Sequence, residues 1–252
     1  MQEPVAPAPG HPERAGRWVA EPPWPPAEPA ARRLDLDVDG LVEELGAATA
    51  VREVDSDECQ GRDAGNWIGW GRDTDWPTDQ RFEDALSMTF DSAVLDANLE
   101  VLGFVDAHLQ IAADRPSAFV GVRFCEVDPE GRSTLITCGV LNLTHRGSHE
   151  HSEPMEPGRF EDVNVRLKVI GHRFGAGNRL RVAITPGYWP LVWPSPTPVR
   201  LSVETGAARW IIIPERTPRP EDDTLAPFEP ACVGACTPVH APATPAIHAH
   251  WD

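Results

Sequence analysis

From Leu86 to Pro214 the chain is cut into short apolar stretches, separated by turn residues about every ten positions. No stretch repeats apolar residues at i, i+3, i+4 and i+7 over three turns, the spacing an amphipathic helix needs. The 27 prolines and 20 glycines reinforce this, because they interrupt most windows long enough for a stable helix. Strands are predicted at 86–91, 99–112 (split or bent), 118–127, 133–144, 161–169, 179–185, 198–204 and 209–214. Eight to ten short strands with turns between them predict an all-β sandwich.

One hairpin is legible in detail. Phe119–Val127 and Ser133–Leu143 flank Asp128-Pro129-Glu130-Gly131-Arg132. A loop of Pro129, Glu130 and Gly131 fits a type I turn closed by a left-handed glycine. That centre pairs Val120 with Val140, Val122 with Cys138, and Phe124 with Ile136, so the apolar positions share a face. It also puts Cys125 and Cys138 on opposite faces, with Cys138 a small buried hydrophobe. The expected core comprises Phe90, Leu99, Val101, Val120, Val122, Phe124, Ile136, Cys138, Val140, Val165, Leu167, Leu180, Val182, Ile184, Leu201 and Val203.

Three regions depart from this rhythm. Residues 1–31, rich in proline and alanine, predict an extended leader; Trp18 and Trp24 within it predict a strap laid on a surface. Leu34-Asp35-Leu36-Asp37-Val38 alternates apolar and acidic residues, as a strand with one wet face does, and Asp39-Gly40 turns the chain. Residues 43–84 hold Trp67, Trp70, Trp76 and several glycines, and predict an irregular excursion from the 32–215 sandwich. Residues 216–252 return to proline, alanine and acid and predict a disordered tail.

The formal net charge of −17 argues against nucleic acid or an anionic membrane as partner, since both require clustered cations. No run approaches the ~20 apolar residues of a membrane helix. The start, Met1-Gln2-Glu3-Pro4-Val5, lacks the basic and apolar segments of a signal peptide, so a cytoplasmic location is expected. Cys59, Cys125, Cys138, Cys232 and Cys236 are odd in number and do not read as a disulfide framework. No residue pattern specifies an oligomeric state.

Few side chains suggest chemistry. His149-Glu150-His151, with His145 and His172, has metal-like spacing, but Gly147, Ser148 and Ser152 favour a solvated loop and no fourth ligand is specified. Cys232, Cys236, His240, His248 and His250 match no zinc-finger spacing. Asp35, Asp37 and Asp39 lack the shaped loop that calcium needs. No metal or cofactor is therefore expected. Tyr188-Trp189-Pro190-Leu191-Val192-Trp193-Pro194 is the strongest surface candidate, because aromatic rings on a proline-stiffened loop stack on sugars or fill a partner's groove; the alternative is that the rings plug the end of the sandwich core, since they bury so much area.

An ordered set of motifs resembles the C-terminal non-catalytic domain of the CocE/NonD hydrolases, the family of Xaa-Pro dipeptidyl-peptidases, cocaine esterase and α-amino-acid ester hydrolases. The hairpin Asp128-Pro129-Glu130-Gly131-Arg132-Ser133 resembles that family's D-x-x-P-D-G-R-S segment. Asp79-Gln80-Arg81-Phe82-Glu83 resembles its D-Q-R-x-x-E entry, and Leu99-Glu100-Val101-Leu102-Gly103 its L-E-V-x-G strand. Leu141-Asn142-Leu143-Thr144-His145-Arg146 falls at its G-x-L-x-x-x-x-R strand, and Glu156-Pro157-Gly158 at its L-E-P-G turn. His172 to Arg181 resembles F-x-x-G-H-R-L-R-L, with Asn178 where histidine is usual. Arg17-Trp18-Val19-Ala20-Glu21-Pro22-Pro23-Trp24-Pro25-Pro26 resembles the W-x-x-E-x-x-W-P-P link between hydrolase and jelly roll.

The resemblance implies a jelly-roll sandwich of the galactose-binding-like type. It also implies that the catalytic residues lie upstream of Arg17, outside this chain. In keeping with that, none of the serines has glycine at both flanking positions two residues away, so no nucleophile elbow is present. No catalytic residue is assigned. The expected function is an accessory domain packed on an α/β-hydrolase catalytic domain or subunit, with Trp18, Trp24, Tyr188, Trp189 and Trp193 as candidate docking or binding residues. A free-standing carbohydrate-binding module is the alternative, and it requires exposed, coplanar tryptophans. An enzyme built on the histidine loop ranks last.

Overall fold

A computed structural model describes residues 1–21, 24, 30–67, 69–70, 75–206 and 209–226. Thirteen strands are present: β1 (Ala30–Asp37), β2 (Gly40–Val42), β3 (Val51–Asp55), β4 (Met88–Asp91), β5 (Leu99–Gly103), β6 (Asp106–Ala113), β7 (Phe119–Val127), β8 (Ser133–Asn142), β9 (Glu161–Arg166), β10 (Ile170–Phe174), β11 (Arg179–Thr185), β12 (Arg200–Glu204) and β13 (Trp210–Glu215). One short helix, α1 (Arg81–Ala85), precedes β4. All strand pairs are antiparallel. The larger sheet runs β10-β5-β13-β6-β12-β3, with β1 also paired to β13, β2 paired to β1, and β9 paired to β6; the smaller runs β4-β11-β7-β8. The fold is the expected all-β sandwich.

The two sheets enclose one main core. Of the expected core residues, Phe90, Leu99, Val101, Val120, Val122, Phe124, Val165, Leu167, Leu180, Val182, Ile184, Leu201 and Val203 lie in it, and Ile136 packs at its margin. Cys138 and Val140 belong instead to a second cluster, on the outer side of the smaller sheet.

A β-bulge explains that difference. Near the turn the register is as read, with Val127 opposite Ser133 and Cys125 opposite Leu135. Gly131 takes φ +79°, and Asp128 Oδ1 accepts from the backbone N–H of Glu130 (3.0 Å) and Arg132 (2.9 Å). Between Cys125 and Phe124 the register shifts, because Ile136 is an extra residue in β8. Phe124 then faces Thr137, Val122 faces Gly139, and Arg123 faces Cys138. Cys138 is buried, but it shares a face with Arg123 and Cys125 rather than opposing Cys125.

Other expectations are corrected. The excursion contains β3, an edge strand paired with β12, and α1. Ile170–Phe174, unforeseen, forms β10 against β5. Asp35 and Asp37 are buried, not wet: Asp35 accepts from the Arg33 guanidinium (2.6 and 3.0 Å), and Asp37 from the N–H of Val38 (2.7 Å) and of Gly46 (3.2 Å) in the segment after β2. The first residues of the expected tail are folded, with a 3₁₀ turn at Pro220–Thr224. Cys232, Cys236, His240, His248 and His250 lie outside the described residues.

The leader is fastened to the sandwich by polar groups. Gln2 exchanges backbone hydrogen bonds with Gly171 and Arg173 (2.8 and 2.9 Å), and Thr134 Oγ1 donates to Val5 O (3.2 Å). Further on, Arg17 reaches Glu100 on β5 (2.5 Å). Arg216, buried at the end of β13, meets Glu21 (2.7 Å), Glu100 (3.1 Å) and both oxygens of Asp222 (2.7 Å each). These hydrogen bonds from Arg216 hold the Asp222 carboxyl down at about 2, below its ordinary 3.8.

A depressed folded-state value contributes stability above the unfolded value and loses it as pH falls through the folded one. Asp222→Asn is therefore expected to lower stability by about 1–2 kcal/mol at neutral pH. The gap between variant and parent should close as pH falls from about 4 to about 2. Urea unfolding at a series of pH values measures it; a gap unchanged across that window would contradict the assignment.

Candidate functional site

Strand β7 is buried on both sides. Val120, Val122 and Phe124 face the sandwich core, so the alternation turns Phe119, Arg123 and Cys125 outward. Ala64, the segment from Gln80 to Ser87 and Tyr188 cover them. Arg123 is fully buried there. Its guanidinium donates to Gln80 Oε1 (3.1 Å) and Ser87 Oγ (3.0 Å) and lies 2.9 Å from Asp84 Oδ1. Asp84 also accepts from Arg181 (2.9 Å), which grips Asp91 with two 2.6 Å bonds.

The Asp79-Gln80-Arg81-Phe82-Glu83 segment holds this cover in place. Gln80 Nε2 donates to the carbonyls of Asp63 (2.6 Å) and Thr78 (2.8 Å). Glu83 accepts from the N–H of Gly61 (2.7 Å) and Asp63 (3.0 Å). Asp79 Oδ1 accepts from the N–H of Ser133 at the hairpin (3.3 Å). The acids here are ligands of the protein's own backbone and arginines, which gives the motif a structural role.

Tyr188, expected at the surface, is 1% exposed and packs with Ala64, Phe119 and Cys138. Burial pushes its phenol well above the ordinary range, and burial pushes the Cys125 thiol up to about 12. These groups stay neutral, and the cluster is a secondary core under the aromatic loop.

Above it the aromatics are open to solvent. Of the eight tryptophans among the described residues, only Trp210 is not exposed; the other seven range from 43% to 83%. Tryptophan is ordinarily well buried, so this distribution marks a surface. Trp67 Nε1 donates to Leu191 O (2.5 Å), tying the excursion to the aromatic loop. Lys168, the only lysine, sits 4.0 Å from the centroid of the Trp67 ring. Trp67 and Trp76 line a groove of about 650 Å³ whose far wall is the leader and whose floor includes Ile136 and Val169. Trp189 and Trp193 pack edge to face, centroids 5.1 Å apart and planes at 82°, on a cleft of about 510 Å³.

Thus Trp189 and Trp193 are exposed, as a surface role requires, whereas Tyr188 is not. Trp18 and Trp24 are exposed. Trp67, Trp76 and Phe82 belong to the exposed face but were not among the expected site residues; the cluster of tryptophans in a glycine-rich excursion was the available signal. His149 and His151 lie in an irregular, exposed loop, and His172 is buried 2.7 Å from Glu126. No group of three or more metal-type ligands occurs among the described residues. Cys59, Cys125 and Cys138 are unbridged. Among the described residues no helix is long and apolar enough to cross a membrane.

A strapped antiparallel sandwich of two sheets, with a covered outer face and exposed tryptophans, defines an all-β domain. Residues 6–220 match the X-Pro dipeptidyl-peptidase C-terminal non-catalytic domain, and the chain belongs to that family. It is 28% identical over 190 residues to the Mycobacterium bovis protein named "Putative serine esterase Mb1866c", a match covering 67% of this chain and 30% of that protein. A serine esterase of Mycobacterium tuberculosis, also named as putative, matches to the same extent.

Among solved structures, an aminopeptidase from a marine sediment Thaumarchaeota archaeon superposes with a TM-score of 0.65 at 20% identity, over 77% of this chain and 38% of that one. An α-amino acid ester hydrolase gives 0.63 at 20% identity, over 74% and 36%. A CocE/NonD family hydrolase from Staphylococcus aureus gives 0.60 at 14% identity, over 81% and 39%. These likenesses establish the shared fold. The chain spans between 30% and 39% of the length of these relatives.

Proposed function

We propose that this domain docks on an α/β-hydrolase catalytic domain through its tryptophan face and helps to wall that domain's substrate cleft. The hydrolase would cleave esters or Xaa-Pro peptides, the activities its relatives' names carry. The observation behind this reading is the exposure of Trp67 and Trp76 along one groove, and of Trp189 and Trp193 on the loop to which Trp67 hydrogen-bonds. An indole offers roughly 150–250 Å², so four rings about half open leave several hundred Å² of apolar surface uncovered. Covering such a patch is what a stable interface does. The unbridged cysteines support a reducing, cytoplasmic setting.

The test is co-expression with the α/β-hydrolase catalytic domain of a CocE/NonD enzyme from the same host. Size-exclusion chromatography and hydrolysis of aryl esters and Xaa-Pro anilides are the readouts. Co-elution is expected, with hydrolysis at least about tenfold above that of the catalytic domain alone. Separate elution, with the catalytic domain fully active by itself, would remove the proposal. A carbohydrate-binding module is the weaker reading, because Trp189 and Trp193 stand at 82° and make no flat platform.

A further inference from the structure

We infer that the cleft at Trp189 and Trp193 is a binding site for a small organic ammonium ion. Its volume of about 510 Å³ falls in the range of small-molecule sites. The lining is unusual in what it withholds. No lysine or arginine contributes to it, and Pro186, Pro194, Pro196 and Pro198 have no N–H to offer.

Three of the remaining donors are engaged within the protein. Gln60 directs its amide N–H groups at the carbonyls of Asp55 (3.0 Å) and Leu86 (2.7 Å). The N–H of Trp189 goes to Gln60 O (3.0 Å), and that of Gly187 to Thr185 Oγ1 (3.2 Å). The lining holds no fixed positive charge for an anion, and its hydroxyls (Ser56, Ser195, Thr197) and indole N–H groups are uncharged.

What the cleft does offer suits a cation. Asp57 and Glu58 line it, both exposed, and neither pairs with a cation among the described residues. Asp57 Oδ1 accepts from the N–H of Cys59 (2.7 Å), which orients the carboxylate. The two indoles supply π faces, which attract cations. Set at 82°, they form a corner rather than a platform, so a compact three-dimensional head group fits better than a flat one. An alkylated ammonium has that shape, with methyl groups for the apolar walls and a charge for the carboxylates.

The inference shares Trp189 and Trp193 with the proposed docking face, so it is tested on the 252-residue chain alone, where its failure leaves the docking test untouched. Choline and its uncharged carbon isostere, dimethylbutanol, are titrated while the indole N–H resonances are followed by NMR. Choline is expected to saturate at millimolar concentration and to bind at least about tenfold more tightly than the isostere. Trp193→Ala, at a side chain 78% exposed and therefore dispensable for folding, should abolish saturation. The double variant Asp57→Asn, Glu58→Gln should weaken binding about three- to tenfold and flatten its salt dependence. Equal affinity for choline and isostere would overturn the inference. So would the absence of saturation by about 50 mM choline, or choline shifts that persist unchanged in Trp193→Ala.

Discussion

Replacing Asp84 by Asn is expected to cost about 3–5 kcal/mol of folding stability, the largest effect of any single side chain off the main core. Asp84 is the one carboxylate that touches Arg123, and Arg123 is fully buried. Gln80 and Ser87 accept hydrogen bonds from the guanidinium but carry no charge. With Asn at 84 the cation stays buried without a counter-ion, the condition in which a broken buried pair is most costly. Removing the cation instead should be milder. Arg123→Met conserves much of the volume, and Asp84 would still have Arg181 at 2.9 Å. A loss of about 1–3 kcal/mol is expected there. Urea unfolding of the two variants measures the order. Against a total of about 5–15 kcal/mol, the Asn variant should be near the edge of folding. If it unfolds within 1 kcal/mol of the parent, or if Arg123→Met proves the more damaging, the buried cation is compensated by something other than Asp84.

That pair shows where sequence reading stops. Arg123 lies in the run Val120-Gly121-Val122-Arg123-Phe124, which alternates well enough to place the inner face. Alternation says only that Arg123 points the other way; it does not say that a distant excursion covers it. The same limit applies to Asp35 and Asp37, whose wet-face pattern is real but whose carboxylates are taken up by Arg33 and by the segment after β2, respectively. Strands whose alternation meets the main core were legible: β4, β7, β11, β12 and β13 fall within one or two residues of the expected spans. β3 and β10 were not. β3 is an edge strand with polar residues, and β10 buries His172 at a position where an apolar residue marks a strand more clearly. The hairpin register was right at the turn and wrong beyond the extra residue Ile136, because a bulge leaves no mark in an apolar run. Of the site, the aromatic loop was legible as a surface candidate. The contribution of Trp67 and Trp76 was not, since a tryptophan in an irregular segment reads as buried until its surroundings are known.

The docking proposal makes its sharpest demand on those two residues. The double variant Trp67→Ala, Trp76→Ala should weaken association with the catalytic domain by about a hundred- to a thousandfold, at roughly 2 kcal/mol for each aromatic anchor. Stability should fall by only about 1 kcal/mol. Both rings are more than half exposed, and the losses within the domain are the Trp67 hydrogen bond to Leu191 and its contact with Lys168. Titration calorimetry against the separately purified catalytic domain gives the first number, and thermal unfolding gives the second. The strap supplies the contrast. Trp18→Ala with Trp24→Ala removes two exposed indoles that do not line the Trp67 and Trp76 groove. If docking runs through the groove, the strap variant should keep its affinity within about threefold. The reverse pattern, with affinity lost on the strap and kept in the groove, would move the interface to the leader. It would then fall beside the Arg17, Glu100 and Arg216 network, which fixes the strap where it leaves the sandwich.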